Sequence, residues 1–245
     1  MKLLRLTHFL NSETNEVESM LNCRSEGKNG LLDEVSSNIA SDDYFTRSHQ
    51  QKLEIQISVG SATLFSILHH SELLQESYEW YSEYISLICE KLYYDEIDLN
   101  DDLSLLYKMI DNMLEAEQKE DELLIQSLSY GACMFICAFS EKILRIVYYE
   151  LLKDEIYIPN NSVTMGSLLT DTNGKIIEIL GENQVKHLRY YFGTYGENKI
   201  GFNYRNGIAH WSEYSRNDMN FNMFSKLLFL FTNITNSLVV YFTSE

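Results

Sequence analysis

The chemically pointed residues of this chain lie between Gly201 and Trp211, in a segment that reads Gly-Phe-Asn-Tyr-Arg-Asn-Gly-Ile-Ala-His-Trp. If Asn203 to Trp211 is helical, a rotation of about 100° per residue leaves Asn206 and His210 about 40° apart on one face. Arg205 then sits about 140° from His210, a gap that its long side chain can bridge. An imidazole exchanges protons near neutral pH, a guanidinium grips two phosphate oxygens at once, and a carboxamide fixes the orientation of either. Arg205 and His210 as catalytic groups, with Asn206 and Asn203 orienting them, suit phosphodiester chemistry that needs neither metal nor cofactor.

Other residues invite weaker readings. The His69-His70 pair, followed by Ser71-Glu72, has the types of a metal site, but a helix end meeting an N-cap explains it with less. The four cysteines, at 23, 89, 133 and 137, form neither a disulfide framework nor a Cys-x-x-Cys zinc pattern, and the apolar run around Cys133 and Cys137 favours core packing. The tyrosines at 78, 81, 84, 93 and 94 have rings that can stack on bases, yet they fall in the most acidic part of the chain and read as core. His187, near Arg189, reads as a surface residue.

Arg205-Asn206-Gly207-Ile208-Ala209-His210 resembles the R-N-x-x-x-H signature of ribonucleases in the HEPN superfamily. Gly201 and Asn203 before the motif, and the Ala209-His210 pair that ends it, are similar to a bacterial HEPN group, whose usual Gly after the histidine is replaced here by Trp211. Glu141-Lys142-Ile143-Leu144-Arg145 and Thr164 to Leu169 also look like that group's preceding segments, so the resemblance spans roughly residues 124 to 215. It implies a helical bundle and a homodimer whose two motifs share one cleft. It also implies cleavage of RNA, in which the ribose 2′-hydroxyl attacks the neighbouring phosphate and leaves a 2′,3′-cyclic phosphate and a 5′-hydroxyl. DNA lacks that nucleophile. His210 would handle protons and Arg205 would stabilise the extra charge on phosphorus. Glu141 either holds Arg205 or His210 or pairs with Arg145 along its own helix. A toxin or antiphage effector is the expected setting. The competing reading is a noncatalytic HEPN module that binds nucleotide or RNA or serves as a dimerisation scaffold.

Charge bears on both readings. The formal net charge is −17, and residues 1 to 123 carry 9 Lys+Arg against 25 Asp+Glu, whereas residues 124 to 245 carry 10 against 11. A strongly acidic surface repels phosphate backbones, which disfavours broad nucleic-acid binding and confines any RNA contact to a local site in the second half. The acidity also suggests a regulatory partner or an antitoxin-like role.

These residues need elements to position them. One proline in 245 residues and long stretches without turn punctuation predict an all-α protein. The expected division is an acidic helical N-terminal region over 1–120 and a HEPN-like helical domain over 121–245. The polar first 50 residues suggest an arm with one helix near Leu31 to Ile39. Helices are expected over Lys52 to Leu68, weakened by Gly60, and over Glu72 to Tyr94. Asn100-Asp101-Asp102 is expected to cap a third from Leu103 to Ala116. Leu123 to Lys153 predicts a long central helix; Pro159 begins a loop, Thr164 to Leu169 a short helix, and Ile176 to Tyr191 another. Glycines at 193, 196, 201 and 207 place the motif at a loop–helix junction. A final helix opens at Asp218 and runs through Tyr241; its Lys226, Asn233, Thr235 and Asn236 favour a buried helix over a membrane span. Met1 to Leu10 lacks the apolar run of a secretory signal, so a cytoplasmic protein is expected.

Overall fold

A computed structural model of the chain describes residues 47–95, 97–153, 163–170, 172–194, 200–210 and 218–243. The helix expected near Leu31 to Ile39, the loop at Pro159, Cys23, Gly196 and Trp211 lie outside the described residues. The described residues are mostly helical and contain no β-strand, in line with the all-α expectation. In chain order the helices are α1 (Arg47–Leu68), α2 (Ser71–Leu92), α3 (Ile97–Gln118), α4 (Glu122–Leu152), α5 (Met165–Leu168), α6 (Gly174–Leu180), α7 (Glu182–Phe192), α8 (Tyr204–His210) and α9 (Phe221–Thr243).

The apolar helix α9 packs against α1, α2, α4 and α6. Its length and hydropathy match those of a membrane span, as do those of α4, but most of its apolar window is buried within the fold. Several of its buried polar side chains are satisfied by its own backbone. Ser225 Oγ donates to Phe221 O at 2.9 Å, Asn233 Nδ2 to Phe229 O at 3.0 Å and Thr235 Oγ1 to Phe231 O at 3.1 Å. Thr232 Oγ1 donates to Leu228 O and accepts from the buried Tyr81 hydroxyl, which ties α9 to α2.

Gly60, which weakens α1 by propensity, is explained by the α1–α9 crossing. A Cβ there would lie 2.2 Å from the Phe229 ring, so only hydrogen fits between the helices. At the other end of the pair, His69 accounts for itself without a metal. Its Nδ1 donates to Phe65 O at 2.8 Å, its Nε2 lies 2.8 Å from Glu117 Oε2, and its ring packs on Phe65 and Phe221. His70 then occupies the N-cap position of α2, and Ser71 is the first helical residue.

Three expectations about boundaries change. Asn100, Asp101 and Asp102 fall inside α3 rather than capping it, because two of these side chains are engaged with neighbouring helices. Asn100 Oδ1 accepts from Ser82, and Asp102 joins Asp98 in gripping Lys142 of α4 at 2.7 and 2.8 Å. The helix expected over 176 to 191 is broken into α6 and α7 by Gly181, whose φ of +85° suits glycine. The last helix begins three residues late, with Asn220 Oδ1 capping Met223 N. Tyr81 and Tyr84 are core as expected, but Tyr93 is 95% exposed, since it ends α2 in the left-handed conformation.

The acidic run from Glu115 to Glu122 covers the end of α3, the turn at 119–121 and the first residue of α4. Glu120 takes φ of +54°, and Asp121 Oδ1 accepts from Leu124 N to cap α4. The buried residues on both sides of this turn belong to one cluster, running from Leu53 to Phe242. The 31-residue helix α4 is the spine that presents Glu141 toward the motif.

Candidate functional site

The site is built on the end of α7. After Phe192 the helix closes with Gly193 N donating to Arg189 O at 2.9 Å. The chain returns to this end, where Phe202 N donates to Tyr190 O at 2.8 Å and Asn203 N to Gly193 O at 3.0 Å. Gly201 makes that approach possible. It holds φ of +145°, and a Cβ would stand 2.6 Å from Tyr190 O and 2.7 Å from Gly193 O, the same two carbonyls. The Phe202 ring is sandwiched between Tyr191 and Tyr204, nearly parallel to both, with centroids 5.8 and 5.1 Å away. The Tyr191 hydroxyl continues to α1, donating to Leu53 O at 2.8 Å.

Asn203 then opens α8. Its φ of +52° is tolerated by asparagine, and its carbonyl accepts from Gly207 N at 2.7 Å to form the first turn. Tyr204, Gly207 and Ile208 bury one face of the helix, which leaves Arg205 and Ala209 partly exposed and Asn206 and His210 exposed.

Four of the five expected site residues come together. Arg205 Nε lies 3.4 Å from Glu141 Oε2, which brings the carboxylate of α4 to the α8 guanidinium. Arg205 Nη1 donates to Asn206 Oδ1 at 2.9 Å, and Asn206 Nδ2 donates to Asn203 Oδ1 at 3.2 Å. The guanidinium is therefore oriented from two sides, by a largely buried carboxylate and by a carboxamide that is itself anchored. One turn before Glu141, burial pushes the Cys137 thiol up to about 12, with Arg205 pulling it down and Glu141 pushing it up. This thiol is neutral packing beneath the ion pair, not a nucleophile.

The fifth residue stands apart. His210 is the last residue of α8, exposed and about 6 Å farther along the helix axis than Asn206. A cleft of about 200 Å³ opens beside Arg205 and Asn206, and His210 is not among the residues lining it. Its walls include Arg189 and Gly193 from the end of α7, and Thr164 at the N-cap of α5.

Arg189 and Thr164 are the residues that sequence reasoning missed here. No local sequence pattern distinguishes either from a solvated helix or loop residue. His187 was misread as a surface residue. It is fully buried with Gln184, Leu188 and Tyr191 along one stripe of α7, which turns Arg189 toward the cleft side. Among the described residues no group of three or more His, Cys, Asp or Glu is placed to hold a metal ion. Comparison with known proteins returns no matching family model, no matching curated protein and no matching solved structure.

Proposed function

We propose that this chain is a metal-independent endoribonuclease of HEPN type that cleaves RNA by 2′-hydroxyl attack. The observation that carries the reading is the Arg205 guanidinium, held at 3.4 Å by the largely buried Glu141 and open to a cleft. It sits on a seven-residue helix whose far end presents His210 to solvent. A guanidinium fixed before substrate arrives stabilises developing phosphoryl charge without reorganising. An exposed imidazole is accessible for proton transfer and is worth about 10²- to 10⁴-fold in rate. In the homodimer that the HEPN resemblance implies, two such helices face one another, and each His210 would approach a linkage gripped by an Arg205. The working setting is a cytoplasmic toxin or antiphage effector, with the acidic first half open to a regulatory or antitoxin partner.

One observation favours a second reading. Because His210 does not line the cleft, the Arg205–Asn206 surface suits a noncatalytic module that binds RNA or nucleotide. Incubating the full chain with labelled single-stranded RNA in EDTA, beside His210→Ala, separates the two. Products ending in 2′,3′-cyclic phosphate, lost in the variant, support catalysis; intact RNA in both preparations rejects it.

A further inference from the structure

We infer that the cleft between α7 and the N-terminal turn of α8 binds a phosphate ester, with Arg189 acting as a second guanidinium opposite Arg205. This deepens the ribonuclease reading by naming a further substrate-binding residue, and it rests on that reading only for the identity of the strand. Four observations support it.

The chain carries a formal charge of −17, yet among the described residues the charged side chains lining this cleft are Arg189 and Arg205, with Glu141 on the Nε edge of Arg205. A locally basic recess on an acidic molecule attracts an anion where the rest of the surface repels it. Second, Arg205 is already oriented. Glu141 takes its Nε edge and Asn206 one Nη1 hydrogen, so the rest of the fork serves the cleft without a further ordering cost. Third, Arg189 stands on the same α7 end that receives Phe202 and Asn203 through backbone bonds, so the backbones that carry the two arginines are held together at the Gly201 approach. Fourth, among the described residues the other polar side chains lining it are the Asn206 carboxamide and the Thr164 hydroxyl, groups that pair with phosphate oxygens and ribose hydroxyls.

RNA and a free nucleotide share this chemistry, and binding titrations distinguish them. The probe is a short fluorescent RNA with 2′-O-methyl riboses, which cannot be cleaved because the nucleophile is blocked; AMP and inorganic phosphate are tested separately. Arg189→Ala is expected to weaken binding by about ten- to hundredfold, the worth of a charge-assisted bond to phosphate. It should also reduce the slope of log affinity against log salt by roughly 0.7 if the ligand is a single strand. Arg189→Lys, which keeps the charge but loses the fork, should fall between, and it serves as the readout if the alanine variant does not fold. Arg189-dependent binding of the RNA identifies a strand; Arg189-dependent binding of AMP without the RNA identifies a free nucleotide. Unchanged affinity and salt slope in both variants, or no binding of any probe by the parent chain, overturns the site. A chain that cleaves no RNA but binds an ester through Arg189 removes the ribonuclease reading and leaves this one standing.

Discussion

Glu141 does more for Arg205 than neutralise it. The pair is 3.4 Å long and the arginine side chain is about a third exposed, so its contribution to stability is on the order of 1 kcal/mol. Its geometric contribution is larger, since a misplacement of about 1 Å at a reacting centre costs up to about a hundredfold. Glu141→Gln is therefore expected to lower Tm by only about 2–4 °C while reducing RNA cleavage about ten- to hundredfold. Calorimetry beside a cleavage assay checks this, and full activity in the glutamine variant would reduce Glu141 to a structural role. The residues of this relay were legible in the chain because Arg205, Asn206 and Asn203 are close in sequence. Their connection to Glu141, 64 positions earlier, rested on resemblance alone, and Arg189 left no local pattern that distinguishes it from a solvated helix residue.

The short helix α8 cannot stand alone, because seven residues are too few to offset the cost of helix nucleation. It is held by the two backbone bonds to the end of α7, by the Phe202 sandwich and by its buried Tyr204 and Ile208. Gly201→Ala attacks this junction directly, combining a backbone conformation that L-residues avoid with contacts of 2.6 and 2.7 Å to carbonyl oxygens. A loss of about 2–3 kcal/mol is expected, or a Tm lower by roughly 5–10 °C, together with loss of ester binding. A variant as stable as the parent would show that the approach is looser than described. The long helices were readable from apolar spacing and absent breakers. The starts of α3 and α9 were not, because Asn100 and Asp102 serve tertiary partners and Asn220 supplies the cap expected of Asp218. The break at Gly181 was masked by continuous apolar spacing on both sides.

At the scale of the molecule, one core among the described residues joins the helices before the α3–α4 turn to the segment bearing the motif, so alkaline unfolding should be cooperative. Burial raises Cys133 well above its ordinary value of 9.0 and Cys137 to about 12. A raised pKa means that the unfolded thiols release protons first. The stabilisation is complete below about pH 9 and drains away as pH climbs toward 12. Denaturant midpoints should fall over that window, and a cysteine reagent at pH 8 should modify Cys89, Cys133 and Cys137 only once the chain is unfolded, since all three are buried. Modification in the native state would mean that the core opens. The all-α class was visible in composition, whereas the continuity of the core across the α3–α4 turn was not, because a charge-rich run of residues looks the same in a tight turn and in a linker. The three nearly parallel rings of Tyr191, Phe202 and Tyr204, tilted by 6° and 10°, have a spectroscopic consequence. Their electronic transitions couple when stacked and decouple when parted, which makes near-ultraviolet circular dichroism a label-free gauge of whether the arginine-bearing turn is seated.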